Sequence, residues 1–155
     1  MSGESVTAWL AEHAPDLRLI DHSRSTATVA DAAEVLSVEP ARIAKTLAIK
    51  VDGEVMLLVT RGDARLDNAL CKAELGGRPR MLDPEATLAA TGHAVGGVCP
   101  FGLSQALPIV ADTSLLAFGT VFPAAGTQTS SVEIEPRRLA EIIGARWVTI
   151  CKLPE

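Results

Sequence analysis

Two β-rich runs, residues 43–51 and 54–60, flank the dipeptide Asp52-Gly53. An Asp-Gly pair between such runs marks a two-residue hairpin turn, because both central positions of that turn require φ > 0. Each run holds consecutive apolar residues, as in Met56-Leu57-Leu58-Val59, where a sheet with one wet face would alternate. This hairpin has to be covered on both sides. It points to an α/β chain of the α+β type, with helices packed around a sheet.

The flanking segments fit that frame. Residues 6–13 read as an amphipathic helix and 17–20 as a short strand. Thr28, with Asp31 in the place of a capping-box Glu, starts a second helix that ends near Val38 and has Ala30, Ala33, Val35 and Leu36 on its buried side. Residues 67–75 form a helix stopped by Gly76-Gly77, and 79–82 a strand. Asp83-Pro84-Glu85 supplies a cap, a first-turn proline and an acid at the positive end of the helix dipole, for a helix ending at Thr91-Gly92. Strands follow at 107–111, 120–122 and 131–134, then a helix at 136–143 closed by Gly144 and a last strand at 147–151. These strands are too short, and too closely joined, for a doubly wound parallel sheet. The expectation is one domain over residues 1–155, a mixed and strongly curved sheet with helices outside it.

Composition removes several function classes. Three Phe, two Trp and no Tyr in 155 residues make the core aliphatic and leave no aromatic platform for stacking bases. No apolar run reaches the ~18 residues that span a bilayer, and no basic stretch precedes an apolar one at the N-terminus. Three cysteines, far apart and without a C-x-x-C pair, indicate neither a disulfide framework nor a zinc site. No metal or cofactor motif is present, and a reducing cytoplasm is the expected compartment. The net charge of -5 argues against a protein that coats phosphate backbone, yet residues 42–80 hold eight Lys/Arg against five Asp/Glu. That segment either meets a small anion or a nucleic-acid end, or is an ordinary solvated surface.

The candidate chemistry lies in residues 91–102, a loop with four glycines, a proline, His93 and Cys99. Glycine permits close approach to a ligand and proline fixes φ, so the loop is suited to aiming backbone N–H groups; a tight connection between packed elements is the alternative. Lys45 enters the first hairpin strand with its stem among apolar neighbours, placed to hold a phosphate, to polarise a carbonyl, or only to reach solvent. His93 is a general base or a packing residue, and with Cys99 it invites a nucleophile–base reading that has no third group to orient it. Asp112 ends a strand, where it orients a ligand or caps the following turn through the N–H groups of Ser114 and Leu115.

Taken in order, Ile43-Ala44-Lys45-Thr46-Leu47, Gly76-Gly77 with Arg80-Met81, Thr91-Gly92-x-x-x-Gly96-Gly97-Val98-Cys99-Pro100-x-Gly102, and Leu107-Pro108 with Asp112 resemble the YbaK family of aminoacyl-tRNA deacylases. These are relatives of the editing insertion of bacterial prolyl-tRNA synthetase, and the resemblance runs from about residue 20 to 150. It implies a freestanding, YbaK-like hydrolase of mischarged tRNA, with the tRNA acceptor end as partner and a synthetase as an open further one. The matching lysine, Lys45, is the residue on which activity depends most, and the segment matching Gly96 to Pro100 shapes the aminoacyl pocket. Departures from the cysteinyl-tRNA(Pro) deacylases are Cys99 for serine, His93 for an aromatic, and Phe122-Pro123-Ala124-Ala125-Gly126 for a Ser-Gly-Gly segment.

On this reading the N–H groups of Gly96 and Gly97 bind the ester oxyanion, and Lys45 anchors the terminal nucleotide. The adjacent ribose hydroxyl activates water. Thr46, His93, Val98, Cys99, Pro100, Phe101, Asp112, Ala124, Ala125 and Gly126 are the candidate substrate-binding residues, selecting a small amino acid by size and excluding proline. A non-catalytic module for an acceptor end or an aminoacyl-adenylate-like ligand, and a cysteine-dependent esterase, are the alternatives.

Overall fold

In the computed structural model, which describes residues 2–154, the chain starts with α1 (Ser2–His13), whose Val6 and Leu10 are buried one turn apart. Of the strand expected at 17–20, only β1 (Ile20–Asp21) forms and continues to Asp21; Leu17 and Leu19 pack on the core instead. α2 (Val29–Leu36) is capped by the Thr28 hydroxyl, which accepts the Asp31 N–H, and closes on Ser37 at φ 56. Its inward stripe is Val29, Ala32, Ala33 and Leu36, at helical spacing i, i+3, i+4, i+7, and Ala30 is exposed. The phase follows from the surface it covers, Ile43 and Phe122.

β2 (Ile43–Val51) and β3 (Glu54–Arg61) form an unbroken antiparallel ladder, turned by Asp52 at φ 49 and Gly53 at φ 81. Both faces are buried, as the consecutive apolar residues require. Ala44, Ala48, Leu57 and Val59 enter one core, and Ile49, Val51, Met56 and Leu58 enter another. β4 (Arg65–Leu66) and α3 (Asn68–Leu75) follow, with Asp67 capping the helix and Gly76 closing it at φ 84. β5 (Pro79–Met81) leads to α4 (Pro84–Thr91), capped by Asp83 and closed by Gly92. β6 (Ile109–Asp112), β7 (Phe122–Pro123), β8 (Ser130–Ser131), α5 (Pro136–Ile143), β9 (Arg146–Val148) and β10 (Cys151–Lys152) complete the chain.

The main sheet has the order β5-β2-β3-β6-β9, with β7 on the start of β2, and it mixes antiparallel and parallel pairs. The single last strand expected at 147–151 is two strands in two sheets, because β10 pairs with β4. Asp112 accounts for the break: its Oδ1 accepts the N–H groups of Ile150 (2.8 Å) and Cys151 (3.1 Å), turning the chain off the β9 line. The β2 edge is what positions the site. β7 covers it at residues 43–44 and β5 at 49–51, and Leu82 N–H closes on Ala48 O at 3.1 Å. Residues 45–47 are left without a strand on that side.

Candidate functional site

A cavity of about 420 Å³ opens at this gap, within the ~300–1,000 Å³ range of small-ligand pockets. Its floor is Lys45, Thr46, Leu47 and Ala48. One wall comes from α2 and the segment before it, through Thr26, Val29 and Leu36; another is the loop after α4, through Val95, Gly96 and Val98. Ala124 and Ser131 close a third side, and the exposed side chains of Met81 and Val95 stand at the rim.

Two features of the floor are those of a site. The Lys45 ammonium is half-buried and donates to Ala64 O at 2.6 Å; desolvation holds its pKa below the usual lysine value, with Cys151 and Asp63 opposing the shift. On the opposite face of the same strand, Thr46 Oγ1 is the one buried side-chain oxygen or nitrogen without a hydrogen-bond partner among the described residues. A buried hydroxyl left unpaired is costly.

The loop is shaped by close backbone contact. Gly96 sits at φ 98 with Gln128 and Ala27 closing on it, while a Cβ on Gly97 would lie 2.9 Å from backbone atoms of Gly126 and Thr127. Gly97 N–H already donates to Ala94 O at 3.0 Å, and the residue does not line the cavity. Gly97 is thus not placed as the oxyanion donor that the sequence assigned to it. The neighbouring amides of Gly96 and Val98 are free among the described residues, and both residues line the cavity.

The other expected residues divide sharply. Ala124 lines the cavity, whereas His93, Cys99, Pro100 and Phe101 are buried behind the loop, and Ala125 and Gly126 lie outside the lining, with Gly126 against Ser2 and Val6 of α1. His93 bridges α1 and the loop: Nε2 lies 2.7 Å from Phe101 O, and Nδ1 meets the Ser2 hydroxyl. A carbonyl only accepts, so Nε2 carries the proton and Nδ1 receives Ser2's. Cys99 Sγ is 3.6 Å from that same Nε2, which as a donor cannot act as its base, and burial pushes the thiol pKa up to about 12. Asp112 is also buried away from the cavity, its carboxylate holding Ile150, Cys151 and Ser114 N–H groups. The capping alternative describes its place. The lining residues the sequence did not single out, chiefly Thr26, Val29 and Ser131, carry no motif of their own and are gathered only by the fold, while Met81 stood in the Arg80-Met81 motif without a site role.

A model of the aminoacyl-tRNA editing domain matches residues 23–142. The chain belongs to the aminoacyl-tRNA editing family. Among its relatives, the uncharacterized protein YwhH of Bacillus subtilis (strain 168) is 40% identical over 154 residues, 98% of each chain. Proline–tRNA ligases match as well: that of Moorella thermoacetica is 40% identical over 57% of this chain, and that of Citrifermentans bemidjiense 33% over 79%. The matched stretch is only 15% and 22% of those two ligases. Two solved structures share the fold along almost the whole of both chains. The hypothetical protein APE2540 has a TM-score of 0.88 at 32% identity, covering 96% of this chain and 99% of its own. A candidate trans-editing enzyme for prolyl tRNA synthetase has 0.89 at 29%, covering 97% of each. Editing-family membership accounts for the mixed sheet.

Proposed function

We propose that this editing-family chain hydrolyses the ester of a mischarged aminoacyl-tRNA carrying a small amino acid. The observation that carries the reading is the makeup of the cavity: mostly apolar side chains with one lysine, several hydroxyl residues and two loop residues whose amides are unpaired among the described residues, and no Cys, His, Asp or Glu in its lining. An aminoacyl ester is activated already, and water attack on it passes through an oxyanion. The Gly96 and Val98 N–H groups are the donors available for that oxygen, each such donor supplying about 2.7–4 kcal/mol in comparable sites. Lys45, with donor capacity beyond Ala64 O, anchors the terminal nucleotide and orients the ester. The ribose hydroxyl beside the ester takes the proton of the attacking water as it passes its own to the departing ester oxygen, since the lining has no carboxylate, imidazole or thiol and the Lys45 ammonium is engaged as a donor to Ala64 O.

Charge outside the cavity agrees with an anionic partner. The β2–β5 register sets Lys50 opposite Arg80, both exposed, next to Met81 at the rim, and neither has an acidic partner among the described residues. Like charges facing each other across strands are unfavourable until an anion such as a phosphate lies between them. The test is a panel of tRNAs charged with alanine, serine, threonine, cysteine and proline, scored for released amino acid. Release of one or more small residues with proline retained is expected. Intact ester across the panel, with tight acceptor-end binding, would instead make the chain a binding module.

A further inference from the structure

Any aminoacyl ester brings an α-amino group into the cavity, and the lining has no carboxylate to receive it. The acceptors left are backbone carbonyls and hydroxyl oxygens, and each hydroxyl has a single proton, whose destination decides whether it faces a ligand as donor or acceptor. Thr26 Oγ1 gives its proton to Gln128 O at 3.2 Å. Ser131 stands differently: its Oγ lies 2.8 Å from Nε2 of His22, a ring that is outside the cavity lining and directly behind the serine. With Nε2 as the acceptor, the Ser131 proton points away from the cavity and both lone pairs remain for a ligand.

The neighbouring hydroxyls are polarised in the same sense. Asp21 can only accept, so Thr129 donates to it at 3.0 Å; Thr127 can then donate to Thr129 at 3.4 Å, and Ser130 to Thr127 at 2.6 Å. Asp21 and His22 belong to one short segment, and the β1–β8 register sets Asp21 opposite Ser130. With His22 in the tautomer whose Nε2 accepts, the segment Asp21-His22 draws protons out of the serine wall and leaves the Ser131 lone pairs for a ligand. Resting on the deacylase reading, we propose that Ser131, positioned by His22, accepts a hydrogen bond from the α-amino group of the aminoacyl ester.

The test is a cycle of protein and substrate changes. kcat/KM is measured for the aminoacyl-tRNA that the wild type hydrolyses fastest and for the same ester with hydrogen in place of the amino group. Ser131→Ala is expected to lower the first about tenfold, the weight of one hydrogen bond, and to leave the second within about twofold. His22→Leu should follow Ser131→Ala, and His22→Gln, which keeps an acceptor behind the serine, should restore most of the loss. Equal slowing of both substrates in Ser131→Ala, or no slowing of either, overturns the contact while hydrolysis by the wild type keeps the deacylase reading. A wild type that hydrolyses neither substrate overturns both.

Discussion

The loop after α4 has two faces that hold opposite kinds of group. On the cavity face are Gly96 and Val98, with no reactive side chain and with free amides; on the core face are His93 and Cys99, reactive in kind and fully buried. Burial moves the two side chains away from reactivity, lowering the histidine pKa and raising the thiol's. The same loop is therefore a structural brace on one side and carries unpaired amides on the other. Conspicuous side-chain chemistry and cavity lining are separable, and in this chain they are separated by one thickness of backbone.

The largest effect should come from the cavity floor. Lys45→Ala is expected to lower deacylation by a thousandfold or more, on the order of 4 kcal/mol, with a thermal midpoint close to wild type. A variant retaining a tenth of the wild-type rate would remove the lysine from the mechanism. Next comes loop shape. Gly97→Ala drives a Cβ against the Gly126 and Thr127 backbone, which has no flexible end to yield, and so displaces the adjacent amides. A loss of about ten- to a hundredfold in kcat, with less change in KM, is expected, because aim matters more in the transition state than in binding.

The core face should respond in stability. His93→Leu strips partners from the Ser2 hydroxyl and Phe101 O, at about 1–3 kcal/mol for each buried group left unpaired. Denaturant unfolding measures it, and activity well below the new midpoint should stay within about tenfold. Burial, partly offset by the Phe101 carbonyl, gives the folded histidine a pKa below its unfolded value near 6.5, so the folded state binds fewer protons. The associated stability is present above about pH 6.5 and is lost as pH falls through the lower folded value. Wild type should therefore lose more stability than His93→Gln between pH 7.5 and pH 5; equal losses would place the ring in solvent.

How much of this was legible in the sequence depends on the range of the interaction. Helix ends set by local caps came out within a residue: α4 between Asp83 and Gly92, α5 closed by Gly144, and the Asp52-Gly53 turn. Strand ends did not, because pairing decides them: β1 ends where Ser130–Ser131 meets it, and the last strand divides where Asp112 grips Ile150 and Cys151. The site followed the same rule. Lys45, Thr46, Gly96, Val98 and Ala124 lie in the cavity, while His93, Cys99 and Asp112 belong to the core. Residue type and neighbours name a group that can react, but only the packing of α1 against the loop decides which way it faces. Ser131 and His22, 109 positions apart, had no joint signal at all.

The smallest effect is the sharpest test of the two faces. Cys99 has the right element for a covalent mechanism and a histidine nitrogen 3.6 Å away, yet with a pKa near 12 only about one thiol in ten thousand is ionised at pH 8. The nitrogen that would have to take its proton carries one already, donated to Phe101 O. Cys99→Ala should keep kcat/KM within about tenfold, its cost falling on stability at about 1 kcal/mol from the small void left in a packed core. Iodoacetamide on the native protein gives an independent readout, since all three cysteines are buried: slow labelling and full retained activity are expected. Stoichiometric inactivation on labelling of Cys99, or loss of turnover in Cys99→Ala with tRNA binding intact, would turn the core face into the catalytic one and reverse the assignment of the whole loop.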